Sequence, residues 1–365
     1  MPAEDLALPS LDLRALARRA AVPAAVAAAL VAAVLVLGGP LETFADALRR
    51  AVAADPVWVA AAAAFELLSF GGYIALLWLV GSRESGRLGL RESAEITLGG
   101  AAATRLLPTA GAGGAAMTLW ALRRSGMGTR RAAGTLLTFL VIVYAVFLGA
   151  LALSGAVLTL NGIGPVALTA LPAALALVGI LLPLAAAAWM PTEGTGRVRT
   201  VGAVLGGAVR DAIGHVRSAD PRLLGAFAWW AFDMAVLYGM LNAFGTAPPF
   251  AVVVLAYFLG QVANTVPVPG AASGGLVSVL LAFGVAADLA IVSVLAYRAM
   301  AIWIPAPIGL LALGKLRRTM ARWQREDAVV AAEAVVEAPV EVVRPRPCEG
   351  RQAWRPLEAP VRAAA

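Results

Sequence analysis

The chain has 365 residues, of which 61% are apolar and only 14% are charged, and its net charge is +7. Soluble domains are nearer half apolar and a quarter charged, so this composition indicates a polytopic membrane protein. Its basic residues stand mostly between apolar stretches, as topology-setting residues do, which argues against a nucleic-acid partner. A single cysteine, Cys348, and a single histidine, His215, exclude disulfide frameworks and Cys/His zinc sites. We expect neither a metal nor a cofactor.

Six apolar stretches are long enough to cross the hydrocarbon, which takes about 20 residues. They are, roughly, 20–38, 56–80, 132–158, 164–190, 223–244 and 288–314. The first follows three arginines and resembles a secretory signal, but its apolar run is longer than a usual signal core. We therefore expect it to remain as an uncleaved first helix.

Two further apolar segments, 95–120 and 250–284, are interrupted by proline and glycine. The first break reads RLLPTAGAGGAA (105–116) and the second reads TVPVPGAASGG (265–275). Backbone that leaves the helix inside a bilayer persists only where protein or a water-filled cavity satisfies it. Transporters use such breaks in corresponding halves to build a mid-membrane site. The breaks are therefore the strongest pointer to function in this sequence.

The arginines indicate how the broken segments meet the membrane. If both segments enter and return to the same face, both termini are cytoplasmic and nearly all topology-setting arginines are cytoplasmic as well. If both segments crossed, the cluster at 123–131 and the loop at 191–222 would face outward, against the positive-inside tendency. The sequence thus predicts an all-α fold with about six full transmembrane helices and two opposed re-entrant hairpins that form an inverted repeat. Full crossing by both segments is the alternative.

The same pattern predicts three regions in an integral protein of the cell membrane. These are a cytoplasmic N-terminal segment (1–19), a transmembrane domain (20–318) and a cytoplasmic, mostly disordered tail (319–365) rich in Ala, Val, Glu and Pro. Within the loop 191–222, residues 201–216 are predicted to form a short amphipathic helix on the cytoplasmic surface.

Four ionisable residues stand inside apolar segments: Glu66, Arg105, Asp233 and Arg298. Each costs roughly 2.5–3.5 kcal/mol on insertion scales, so their presence needs a reason. One reading is that the two acids pair with the two arginines and lock helices together. The other places the arginines in a cavity, because their planar fork suits phosphate oxygens. Half-helices that begin after the breaks would add inward-pointing N–H groups.

Several runs resemble the lysylphosphatidylglycerol synthase transmembrane family, whose members are flippase-like integral membrane proteins. They are RLLPTAGAGGAAMTLWALRRSG (105–126), WWAFDMAVLYGMLNAFG (229–245), and VPVPGAASGGLVSVLLAFGV with AYRAMAIWIPAPIGLLALGKLRR (within 266–318). The resemblance covers roughly 20–318 and does not extend to a cytosolic synthase domain, so we do not expect this chain to be an enzyme that lysylates a lipid by itself.

The resemblance implies translocation of an anionic, aminoacylated or glycosylated lipid between leaflets, with a separate lipid synthase or glycosyltransferase as a partner. By motif it points to substrate binding by Arg105, Pro108, Gly111, Gly113, Gly114, Pro267, Pro269, Gly270 and Arg298. Glu66 and Asp233 are predicted to be intramembrane charge partners from their position in apolar segments and not from the resemblance. The family usually carries a Glu after the second break, but here no acid occurs between Asp233 and Asp288. The alternatives are a non-catalytic scaffold or partner subunit of a lipid- or cell-envelope-synthesis system, and an intramembrane lipid-modifying enzyme.

Overall fold

The computed structural model describes residues 53–106, 112–189, 197–263 and 270–337, and within these ranges all regular structure is helical. This confirms the predicted all-α class. The helices are α1 Pro56–Ser82, α2 Leu90–Leu106, α3 Ala112–Arg124, α4 Thr129–Leu160, α5 Val166–Trp189, α6 Arg197–Arg217, α7 Leu224–Phe244, α8 Phe250–Ala263, α9 Ala271–Ala282, α10 Ala287–Trp303 and α11 Pro305–Glu337.

Five stretches of helix are long and apolar enough to cross a membrane. They are Pro56–Ser82, Thr129–Leu160, Val166–Ala188, Pro221–Phe244 and Ala287–Val330. These coincide with five of the six predicted spans, and the remaining one, 20–38, lies outside the described residues. Helices α8 and α9 are apolar but shorter. In α1 the first turn is fixed by Asp55, whose carboxylate accepts a hydrogen bond from the backbone N–H of Val57 at 2.8 Å.

Helices α1 and α7 lie side by side in opposite directions. The backbone N–H of Asp55 donates to the carbonyl of Ala243 at 2.9 Å, at the beginning of α1 and the end of α7. Further along, the hydroxyl of Ser69 donates to the carbonyl of Trp229 at 2.9 Å. The contacts therefore run antiparallel. We call the two ends of this pair the Pro56 end and the Ser82 end, after the first and last residues of α1.

The two helices approach most closely where glycine faces glycine. A Cβ atom on Gly72 would lie only 2.6 Å from the carbonyl oxygen of Gly225, and one on Gly225 would meet the carbonyl oxygen of Gly72. Small residues at such positions let helix backbones touch, which is how membrane helices gain packing energy without a hydrophobic driving force.

Helices α2 and α3 form one closely packed pair, and α8 and α9 form another. Gly114 of α3 lies against Gly100 and the Thr104 side chain of α2, while Gly275 of α9 lies against Ala263 of α8. Each pair flanks one of the Pro/Gly breaks predicted from the sequence, and residues 107–111 and 264–269 of those breaks lie outside the described residues.

Contacts also fix where each pair begins and ends. The hydroxyl of Ser85, just after α1, donates to the carbonyl of Ser125, just after α3, at 2.9 Å. At the Pro56 end, the ring of Phe250 at the start of α8 packs on the ring of Tyr238 in α7, with ring centroids 5.8 Å apart. A Cβ on Gly164, in the α4–α5 turn, would meet the ring of Phe283, which ends α9.

Helix α11 runs along α2 in the opposite direction. A Cβ on Gly309 would lie 2.8 Å from the Cβ of Ala102, and further along the Thr319 hydroxyl donates to the buried carboxylate of Glu95 at 2.6 Å. The chain divides into two units after Trp323. Helix α11 nevertheless continues to Glu337, so part of the segment predicted as a mostly disordered tail is helical, as its alanine and glutamate content favours. The predicted amphipathic helix at 201–216 lies within α6.

We expect Gly72→Leu to destabilise the protein strongly, because the added side chain would separate α1 from α7. Overpacking of this kind costs about 1–3 kcal/mol or more. The matched control is Gly71→Leu, since nothing lies within 4 Å of a Cβ at Gly71. Thermal unfolding in detergent measures the difference, and equal midpoints for the two variants would contradict the packing described here.

Candidate functional site

A cluster of polar side chains lies inside the bundle where α7, α8 and α10 meet. Asp233 of α7 is only 8% exposed, and its Oδ2 accepts hydrogen bonds from the hydroxyls of Tyr257 in α8 and Tyr297 in α10, the latter at 2.9 Å. The amide of Gln261 in α8 donates to the Tyr297 hydroxyl at 3.3 Å. We call these four residues the Asp233 cluster.

The cluster holds a carboxylate inside an apolar bundle without an arginine. Two hydroxyl donors on one carboxylate oxygen satisfy a charge that is otherwise expensive to bury. Pairing of Asp233 with an arginine was one reading of the sequence. Among the described residues, its hydrogen-bond partners are instead Tyr257 and Tyr297.

Glu66 of α1 is also buried and lies level with Asp233. It is 1% exposed. The preceding residue, Phe65, stacks on Phe232 with ring centroids 5.9 Å apart, which sets the register between α1 and α7 at this level. The structure therefore brings both sequence-predicted acids to one level of the bundle.

Arg298 follows Tyr297 on α10 and carries unsatisfied donors. Its guanidinium carbon lies 5.3 Å from the centroid of the Tyr297 ring. Its Nε and Nη2 atoms are buried and have no hydrogen-bond partner among the described residues. Buried N–H groups of an arginine are costly without an acceptor. Of the predicted substrate-binding residues, Arg298 is thus placed beside the Asp233 cluster with free capacity for an anion.

The second break begins at this cluster. Gln261 stands in the last turn of α8, and the chain re-enters helix at α9 after Gly270, whose φ is +82°. That backbone conformation strongly favours glycine, which explains the residue type. The predicted residues Pro267 and Pro269 lie outside the described part of the chain.

The first break approaches from α2. Arg105 lies in the last turn of α2, and Gly113 and Gly114 lie in the first turn of α3, whereas Pro108 and Gly111 fall outside the described residues. Because α2 runs antiparallel to α11, its last turn points toward the α10–α11 junction, which follows the segment that carries Arg298.

Sequence reasoning missed three members of the cluster: Tyr257, Gln261 and Tyr297. A usable signal was present, because Tyr257 and Gln261 are four residues apart in an apolar helix and therefore share one face. Tyr297 is adjacent to Arg298. Tyrosine hydroxyls and a glutamine amide are the buried partners here, and these groups do not stand out in a search for ionisable residues.

We expect Tyr257→Phe to destabilise the protein by about 1–3 kcal/mol, because it removes a donor from a buried carboxylate. Tyr144→Phe is the matched control, since Tyr144 is 53% exposed. Adding Asp233→Asn to Tyr257→Phe should recover part of the loss, because the neutral amide needs less compensation. A double-mutant cycle on unfolding midpoints measures this coupling, and additive effects would contradict the network.

The comparisons with known proteins agree with this architecture. The profile of the family described as "lysylphosphatidylglycerol synthase TM region" matches residues 21–309. That range contains α1 to α10, both broken segments, the Asp233 cluster and Arg298. A search of curated proteins gave no match. The matched range covers most of the chain, so this protein belongs to the lysylphosphatidylglycerol synthase transmembrane family and is a membrane protein.

Proposed function

We propose that this protein moves a lipid with an anionic, phosphate-bearing head group between the leaflets of the cell membrane. The observation that carries the proposal is Arg298, whose buried Nε and Nη2 have no acceptor among the described residues and lie beside the Asp233 cluster. Arginine presents several N–H donors in a plane that matches phosphate oxygens. Membership of the family supports a lipid-related role.

We further propose that the lipid head group passes between two re-entrant hairpins. Helices α2 and α3 have 17 and 13 residues, so at about 1.5 Å per residue each is shorter than a hydrocarbon core of about 30 Å. The Ser85–Ser125 hydrogen bond joins their two outer ends, and Arg131 at the start of α4 pairs with Glu84 at 3.2 Å. Both contacts support return of the first hairpin to the Ser82 end.

The second hairpin is supported in the same way at the Pro56 end. Helices α8 and α9 have 14 and 12 residues. Phe250, at the start of α8, packs on Tyr238. Tyr238 in turn contacts Trp58 near the start of α1, with ring centroids 6.2 Å apart. The α9 end lies beside the α4–α5 turn. Since α1 and α7 are antiparallel and each leads into a hairpin and then a spanning helix, the two halves are proposed to form an inverted repeat.

The Ser82 end is proposed to be cytoplasmic, because the arginines concentrate there and positive loops stay inside. Both chain termini are then cytoplasmic. An aminoacylated head group would bring its ammonium to the level of Glu66 and Asp233, while its phosphate meets Arg298. In this arrangement Glu66 and Asp233 supply the negative charge that the family usually carries after the second break. The protein acts without a cofactor or a catalytic step of its own, and a separate lipid synthase or glycosyltransferase supplies the lipid.

We expect cysteines introduced at Gly86 and Thr129 to be labelled from the cytoplasmic face, and cysteines at Thr246 and Ala286 from the opposite face. All four positions are exposed, and Cys348→Ser leaves a background without cysteine. Gly86 and Thr129 flank the first hairpin, and Thr246 and Ala286 flank the second. Labelling of either pair from different faces with a membrane-impermeant maleimide would reject the re-entrant arrangement.

We expect Arg298→Ala to slow transport of fluorescent phosphatidylglycerol in proteoliposomes by roughly tenfold or more, because it removes charge-assisted hydrogen bonds to the phosphate. Arg298→Lys should retain part of the rate, since it keeps the charge but loses the planar fork. Arg318→Ala, an exposed arginine of α11, is the control. Dithionite quenching measures the rate of the folded variants, and wild-type rates in Arg298→Ala would overturn the proposal.

A further inference from the structure

A second polar feature lies at the Ser82 end, and none of its lining residues belongs to the Asp233 cluster. It is a groove of about 980 Å³ between the end of α1, the start of α4 and α6. Its charged lining residues are Arg83, Glu84, Arg130, Arg131, Arg210 and Asp211. Four cations against two anions give a net formal charge of +2. We call this feature the basic groove.

The start of α4 adds donors to the groove. Gly128, the N-cap of this 32-residue helix, lines the groove and forms no side-chain cap. The first backbone N–H groups of a helix lack internal acceptors and carry its positive dipole end, so they favour an anion. Arg131 pairs with Glu84 at 3.2 Å, Arg210 donates to the carbonyl of Ala187 at 2.9 Å, and one N–H of Arg83 donates to the Ser218 hydroxyl at 2.9 Å. Arg130, like Arg83 and Arg131, is exposed.

An independent observation comes from His215, which also lines the groove. This residue is only 6% exposed, and its Nδ1 has no hydrogen-bond partner among the described residues. A buried ring nitrogen without a partner is costly unless a group from outside supplies one. The groove is thus a built site, with a buried polar side chain, a free helix end and an excess of arginine.

We propose that the basic groove binds a phosphate-bearing anion, held by Arg130, by Arg83 and by the first N–H groups of α4, next to His215. A phosphate group accepts hydrogen bonds on three oxygens and in several directions, as these donors require. The site is separate from the Arg298 site, and it stands whether or not the protein transports lipid. The anion has two possible sources, which are a phospholipid head group of the adjacent leaflet and a soluble phosphate ester.

The charges around His215 make the affinity of the basic groove for an anion depend on pH. Burial, then the nearby Arg83, lowers the pKa of His215 below its ordinary value, and Arg222 lowers it further, while Asp211 and Asp220 oppose them. Arg130, Arg131, Arg210 and Glu84 line the same groove. A pKa lowered from the ordinary histidine value favours the neutral imidazole at neutral pH. A bound anion favours the protonated form, so binding should raise the pKa of His215 and affinity should increase as the pH falls.

The single histidine makes this measurable in the whole protein. Protein labelled with isotopic histidine, without a polyhistidine tag, gives one imidazole signal by nuclear magnetic resonance. In phosphatidylcholine nanodiscs, titration with glycerol 3-phosphate tests the soluble source. Nanodiscs that contain phosphatidic acid test the lipid source. We expect at least one probe to shift the His215 signal and raise its pKa, and the responding probe identifies the source.

Arg130→Gln tests whether the groove holds the anion, because Arg130 is exposed and its loss should leave the fold intact. We expect roughly tenfold weaker binding of the responding probe. Arg318→Gln, which removes an exposed arginine outside the groove, should bind as the wild type does. No shift of His215 with either probe, or an equal shift in Arg130→Gln and wild type, would overturn the proposal.

Discussion

The rest of the structure depends on the contact between α1 and α7. Glycine on both helices lets the backbones touch, and the antiparallel register that results brings Glu66 and Asp233 to one level. Because the two helices are antiparallel, α1 finishes at the Ser82 end of the bundle and α7 finishes at the Pro56 end. Each helix pair that flanks a Pro/Gly break then starts from a different end. The antiparallel contact therefore sets both the level of the two acids and the end of the bundle at which the helix after each of α1 and α7 begins.

The sequence predicted much of the fold because the bilayer imposes a strict length rule. Apolar runs such as 132–158 and 223–244 exceed what a soluble core needs, and they became α4 and α7 with boundaries shifted by only a few residues. The end of α11 was harder to predict, because its alanine and glutamate residues favour a helix but bury little surface. The segment 319–365 was predicted to be mostly disordered, and its first part, up to Glu337, lies in α11.

The charged residues of the candidate site could be predicted from the sequence, but the residues that contact them could not. An ionisable residue in an apolar run is visible as an anomaly, so Glu66, Asp233 and Arg298 could be found without a structure. Which groups satisfy them depends on contacts between helices that are distant in sequence, such as Asp233 with Tyr297. Tyrosine is ordinary in apolar helices, and although Tyr257 and Gln261 share one face of α8, that spacing does not show which group they contact. Pairing of the acids with the arginines was one of two readings, and for Asp233 the hydrogen-bond partners among the described residues are tyrosine hydroxyls.

The junction between α10 and α11 has a mechanical consequence. Pro305 lacks a backbone N–H and cannot continue the hydrogen-bond ladder of α10, so the two helices share one weak point after Trp303. On one side of that point, α10 carries Arg298 and is fastened to α7 and α8 through Tyr297. On the other side, α11 is fastened to α2 through Glu95 and Thr319. The span Ala287–Val330 is therefore made of two helical segments that meet at a point without a continuous backbone ladder, and each segment is held to a different part of the bundle.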